Sequence, residues 1–178
     1  MNRSSFARMQ NWTTFYEMIG GAAATLLGLL FVSVSVNLEK ILGDAHAHSR
    51  LLAEQAFQNY FAVLTISLIA FMPGISQMNF GYVVIGMTTA WAIWVVLRVL
   101  KSVSAAVEGP SRVRMFRRYL LSLAGFAILI YGGWTLSFGK SDDRSIVAAG
   151  LLLLLISATI VSWELLVAMA AEKFGVRR

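Results

Sequence analysis

From Gln55 to Leu97 the chain carries no charged residue. One helix needs about 20 apolar residues, at about 1.5 Å each, to cross a hydrocarbon core of about 30 Å, so this stretch is long enough for two crossings. Near its middle stand Pro73, Gly74, Ser76, Gln77 and Asn79, residues that break helices and form turns. The pattern predicts two antiparallel helices, at about 55–72 and 79–97, joined by a tight turn.

Three further runs read the same way. Met18 to Leu38 and Tyr119 to Gly139 are free of charge, and the run from Ser145 to Ala171 contains a single acid, Glu164. The expected fold is therefore all-α: a polytopic transmembrane helical bundle of about five spans, near 18–38, 55–72, 79–97, 119–139 and 145–171. The whole of 1–178 forms one membrane domain. Composition agrees, with 58% hydrophobic and 13% charged residues, against about 45–50% and about 25% in soluble domains. Trp12, Phe15 and Tyr16 precede the first span, where rings sit at headgroup level or in a short interfacial helix. Residues 39–54 mix charges with leucines and suit an interfacial helical connector. The N-terminus has no short apolar core followed by a small-residue cleavage site, so the first span is expected to stay in the protein.

Positive charge orients the bundle. Arg3, Arg8, Lys140 and Arg144 fall on one side and the other eleven basic residues on the opposite side, which places the N-terminus outside and the C-terminus in the cytoplasm. The net charge of +6 does not imply nucleic acid, because the basic residues form no stripe interleaved with aromatics. Arg98, Lys101, Arg112, Arg114, Arg117 and Arg118 instead bracket a cytoplasmic loop at 98–118 between apolar runs, and the last four are candidates for binding anionic lipid or a cytoplasmic protein.

The first span holds the most specific pattern. Gly20, Ala24 and Gly28 repeat at four-residue spacing, a small-residue face that allows another helix to approach closely, either within the subunit or around an oligomer axis. Further along, Ser33, Ser35, Asn37 and Glu39 make the cytoplasmic half progressively polar. Two explanations compete: hydroxyls bonded back to the helix with Asn37 and Glu39 ending it, or, with Gly28, the lining of a narrow pore. Glu164 is either an intramembrane acid of functional weight or a headgroup-level partner of Lys173 or an arginine of the basic segment. Trp91, Trp94, Tyr131 and Trp134 are expected in packing and interfacial anchoring.

Enzyme signatures are missing. The chain has no cysteine, no phosphate-binding glycine loop and no serine elbow, and no cofactor is expected. Asp44, His46 and His48 alternate along the connector, but lack a fourth ligand and the i, i+4 spacing of a helical metal motif, so solvated histidines are expected rather than a metal site.

The run from Asn11, NWTTFYEMIGGAAATLLGLLFVSVSVNLEKIL, resembles the opening of a family of small bacterial membrane proteins. In that family an aromatic segment leads into a glycine/alanine stretch, then GLLFV, then a serine-valine alternation ending in Asn-Leu. The similarity continues through Arg50 and the Pro73-Gly74 turn and fades after about residue 86. It implies a bacterial inner-membrane location and transfers no active-site residue. Two functions follow as expectations: a small homo-oligomeric ion channel with the first helix near the symmetry axis, or a regulatory or scaffolding protein working through the basic segment.

Overall fold

The computed structural model describes residues 3–37, 47–105, 111–138 and 144–173. It is all-α, with five long helices: α1 (Arg3–Val36), α2 (Ala47–Ala70), α3 (Gln77–Ala105), α4 (Ser111–Phe138) and α5 (Ser145–Lys173). Four contain stretches long and apolar enough to cross a membrane, Trp12–Val36, Gln77–Leu97, Tyr119–Phe138 and Ser145–Ala170, which makes the chain a multi-pass membrane protein.

The exception is α2, expected as an ordinary span over 55–72. It begins eight residues earlier, at Ala47, so half of the expected connector belongs to it. Arg50 and Glu54, one turn apart, bridge at 3.2 Å along its surface and support the added turns. Its buried polar residues, Ser49, Gln55, Gln58, Asn59 and Ser67, lower its mean hydropathy without being exposed. They are turned toward neighbouring helices, the arrangement that lipid demands of polar groups.

The helices pack in the spatial order α1, α2, α5, α4, α3, so α2 lies between α1 and α5. Ser67 of α2 lies against Gly20 of α1, where a Cβ would come within 2.9 Å of the serine Cβ, and Leu30 packs with Leu52, Ala53 and Ala56 further along. The two helices therefore run antiparallel. One apolar core joins Tyr16, Ile66, Phe80, Phe126 and Leu151, and a second joins Leu30, Tyr60, Val161 and Leu165.

The α2–α3 turn forms as the sequence requires. Gly74 adopts φ +78°, a left-handed conformation that side chains disfavour. Ser76 then caps α3, its hydroxyl accepting the Asn79 amide at 3.2 Å. Beyond the turn α3 leans on α4, where the backbones almost touch: a Cβ on Gly133 would lie 2.9 Å from the Gly81 carbonyl oxygen.

Two other boundaries differ from expectation. α1 starts at Arg3 rather than near Met18, so Trp12, Phe15 and Tyr16 lie on one continuous helix. They form a ring cluster with 6.0 Å and 5.6 Å centroid contacts, and Tyr16 packs edge-on against Phe80 at 6.1 Å. The 98–118 segment is mostly helix, since α3 continues to Ala105 and α4 begins at Ser111.

Candidate functional site

Gln55 and Asn59, one turn apart on α2, point toward α4 and α5 and meet two serines there. Gln55 Nε2 donates to Ser122 Oγ at 3.2 Å, and Asn59 Nδ2 donates to the same oxygen at 2.8 Å. Ser122 Oγ and Ser157 Oγ are 3.0 Å apart, and Asn59 Nδ2 also reaches Ser157 Oγ at 3.3 Å. A hydroxyl has two acceptor lone pairs and one proton. With both lone pairs of Ser122 engaged by amides, its proton goes to Ser157. All four residues are buried, so the cluster joins three helices through mutually satisfied groups. A second set lies further along, with Tyr60 Oη donating to Thr159 Oγ1 at 3.3 Å and accepting from Ser162 Oγ at 3.4 Å.

These polar residues were not singled out from the sequence. The available signal was Gln55, Gln58 and Asn59 at i, i+3 and i+4 inside an uncharged run, a spacing that puts three amides on one side of a helix.

The expected small-residue face of α1 divides. Gly20 is buried against α2, whereas Ala24 and Gly28 are exposed. At about 100° per residue, two steps of four rotate the position by about 80°, enough to carry a stripe from the packed side to the open side. The open side has its own repeat: Thr14, Gly21, Gly28 and Ser35 recur every seven residues, with Glu17 and Thr25 between them, and all six are exposed. Among the described residues, no atom comes within 4 Å of a Cβ placed at Gly21 or Gly28. Residues facing lipid are ordinarily large and apolar. The line of the repeat is small and polar, and exposed Met18, Phe31 and Val32 flank it.

The remaining candidates are dispersed. Ser33 and Asn37 are half-buried, and Asn37 Nδ2 donates to the Ser33 carbonyl at 2.9 Å where α1 ends. Glu164 is half-buried on α5, with its Oε2 shielded from solvent. The backbone puts Arg112, Arg114, Arg117 and Arg118 in the first turns of α4; their side chains, and that of His48 at the start of α2, are outside the described set, as are Glu39, Asp44 and His46. Trp94, Tyr131 and Trp134 are exposed.

A groove of about 640 Å³ opens between α1, α2 and α3. It exists because α3 leans toward α4 and away from α2. Its floor is aromatic: Phe57 stacks on Phe61 at 6.1 Å, and Phe61 meets Trp91 edge-on at 6.2 Å. Leu30 and Val34 wall one side and Trp94 the other, while Glu54 and Gln58 supply its polar groups. Gln58 Nε2 points at the Trp91 carbonyl from 3.4 Å, a polar tie across the gap. No protein-family model matches the chain, and no curated protein or solved structure matches it either.

Proposed function

We propose that this chain is the subunit of a homo-oligomeric ion channel of the bacterial inner membrane, with the outward face of α1 turned toward the shared axis. The supporting observation is the seven-residue repeat of Thr14, Gly21, Gly28 and Ser35 on the side of α1 that no described residue covers. Repeats of seven keep one face of a helix against a partner through a left-handed crossing, and small residues allow the backbones to approach closely. The interior of a single bundle is the poorer route for an ion. The buried amides and hydroxyls of Gln55, Asn59, Ser122 and Ser157 are bonded to one another, and an ion passing among them would have to displace those bonds. Of the pore candidates on α1, Gly28 and Ser35 point the right way, and Thr25 joins them.

Native mass spectrometry of the protein in nanodiscs, followed by ion flux in vesicles, tests the proposal. A defined oligomer that conducts, and that loses both properties on Gly28→Leu, is the expected result. A monomer without flux overturns it.

A second reading rests on the arginines of α4. A helix N-terminus carries partial positive charge and favours acids, yet the first turn of α4 has none and the arginines crowd its start. They do not serve helix stability there, which suits a surface for anionic headgroups or an acidic protein partner. Replacing Arg112, Arg114, Arg117 and Arg118 with Gln should then abolish binding to anionic vesicles; retained binding removes this reading.

A further inference from the structure

The buried polar cluster, which is separate from the α1 outer face, leaves two strong acceptors over. Asn59, Ser122 and Ser157 are at most 1% exposed and Gln55 is 6% exposed, and both serines lie within spans. Among the described residues, every side-chain hydrogen bond of Gln55 and Asn59 runs through the amide nitrogen. The bonds that satisfy the serines therefore leave both amide carbonyl oxygens without a donor, and a buried acceptor in that state marks a place for a water or an ion.

A side-chain amide carries its oxygen and nitrogen on one carbon, so turning it by half a revolution exchanges them. The two oxygens then take the positions that the nitrogens hold, 3.2 Å and 2.8 Å from Ser122 Oγ, with Ser157 Oγ 3.0 Å from the other serine. Each serine can send its proton to the carbonyl one turn back on its own helix, that of Arg118 or Leu153, and so free its lone pairs. Four neutral oxygens from three helices then face one another with no proton between them, a donor set that suits a hard cation.

Spacing and charge narrow the choice of ion. Neighbouring oxygens around a six-coordinate ion lie about 1.4 bond lengths apart, or about 3.3–3.7 Å for bonds of about 2.3–2.6 Å. Calcium and sodium both make bonds of about that length. The present spacings run from 2.8 Å to 3.3 Å and need to open by only a few tenths of an ångström, whereas potassium, a larger ion, would force the helices further apart. Magnesium fits a closer spacing but gives up water reluctantly. Any doubly charged ion is costly to bury among ligands that carry no charge.

We propose that Gln55, Asn59, Ser122 and Ser157 form a sodium site that ties α2, α4 and α5 together inside the bundle. The charged residues nearest to the four along their own helices are Glu54, Arg118 and Glu164, two acids and one base; the neutral oxygens, not a nearby charge, hold the ion. A resting ion gains four oxygen ligands in place of the bonds it displaces, and water entering with it fills the remaining positions.

The test follows unfolding of the full-length protein in mixed micelles by circular dichroism, in sodium, potassium or choline chloride at equal ionic strength. A ligand bound by the folded state alone raises the folded-to-unfolded ratio by the factor 1 + [L]/Kd, and sodium at about 0.2 M should raise it at least about threefold over choline. Potassium should do less. Ser157→Ala, which removes one ligand, should abolish the difference between the salts; where that variant does not fold, Gln55→Ala, at the least buried position of the four, gives the same reading. A serine with a purely structural role would lower the midpoint equally in every salt, as Ser162→Ala beside Tyr60 should. Equal midpoints in the three salts overturn the proposal, and potassium matching sodium overturns the choice of ion. Sodium stabilisation that survives both Ser157→Ala and Gln55→Ala arises elsewhere in the molecule, the α1 face included, and overturns the site.

Discussion

Two helices of this bundle carry glycines seven residues apart, and their surroundings are opposite. On α4, a Cβ at Gly125 would lie 2.7 Å from a Leu154 methyl, and one at Gly132 would lie 2.8 Å from a Val147 methyl, so α5 fills both notches. On α1, the same construction at Gly21 and Gly28 reaches nothing within 4 Å among the described residues. The α4 pair shows what the spacing does in this protein when a partner is present: it seats branched side chains of a neighbouring helix. The α1 pair is the same device facing outward, flanked by Thr14, Thr25 and Ser35. Apolar area cannot draw helices together in lipid, where the hydrocarbon is as apolar as leucine, so close packing of this kind is what drives association.

The largest effect should come from filling the occupied notch. Gly132→Leu forces Val147 and the α5 backbone aside, and overpacking of this type costs about 1–3 kcal/mol. The variant should unfold at clearly lower denaturant, read by helical circular dichroism in mixed micelles. Gly28→Leu should leave that midpoint unchanged while shifting the native mass distribution from oligomer to monomer. If Gly28→Leu lowers the midpoint as far as Gly132→Leu, the α1 face is packed within the subunit and the comparison collapses.

A smaller effect is expected at the hub of the buried polar cluster. Ser122→Ala removes the acceptor of both Gln55 and Asn59, and a buried donor left unsatisfied costs about 1–3 kcal/mol. Hydrogen bonds between membrane helices average nearer about 0.6 kcal/mol, because polar groups find other partners. A loss of about 1 kcal/mol in the same unfolding measurement is therefore expected. Ser157→Ala on that background should cost less than it does alone, since the two serines share a bond. Full additivity would mean that the amides act on each serine separately.

Five helices and the Pro73-Gly74 turn were legible because length and the absence of charge are sufficient signals in lipid. Helix ends were less so. The charges at Arg50 and Glu54 read as a separate interfacial helix and Lys101 as part of a loop, whereas all three positions belong to the long helices α2 and α3; a helix readily carries charged side chains past the hydrocarbon edge. The small-residue stripe of α1 was visible, but its register was not: Gly20 and Gly28 look alike at four-residue spacing until the phase of the packed face is known from Tyr16, Ile19 and Ala23. The groove had no sequence signal, because it arises from the lean of α3 toward α4 at Gly81 and Gly133. Phe57, Phe61 and Trp91 would line it only once that lean is given.

The smallest expected effect separates two surroundings for the same outward face. Thr25 sits between the α1 glycines, and its hydroxyl bonds back to the Gly21 carbonyl at 2.9 Å, so it needs no other partner. Thr25→Val keeps the shape and removes the hydroxyl, and because serine and threonine back-bonding slightly weakens a helix, the folded subunit should change by no more than about 0.5 kcal/mol in either direction. Flux in vesicles carries the information instead. A hydroxyl facing a water-filled axis helps an ion shed part of its hydration shell, and a methyl in its place makes the same point a dewetting constriction. A severalfold fall in conductance with the oligomer intact would therefore put Thr25 on the path. Unchanged conductance would put Thr25 against a neighbouring helix or lipid and leave the glycines as a packing seam, and the ion route would then have to be sought elsewhere in the assembly.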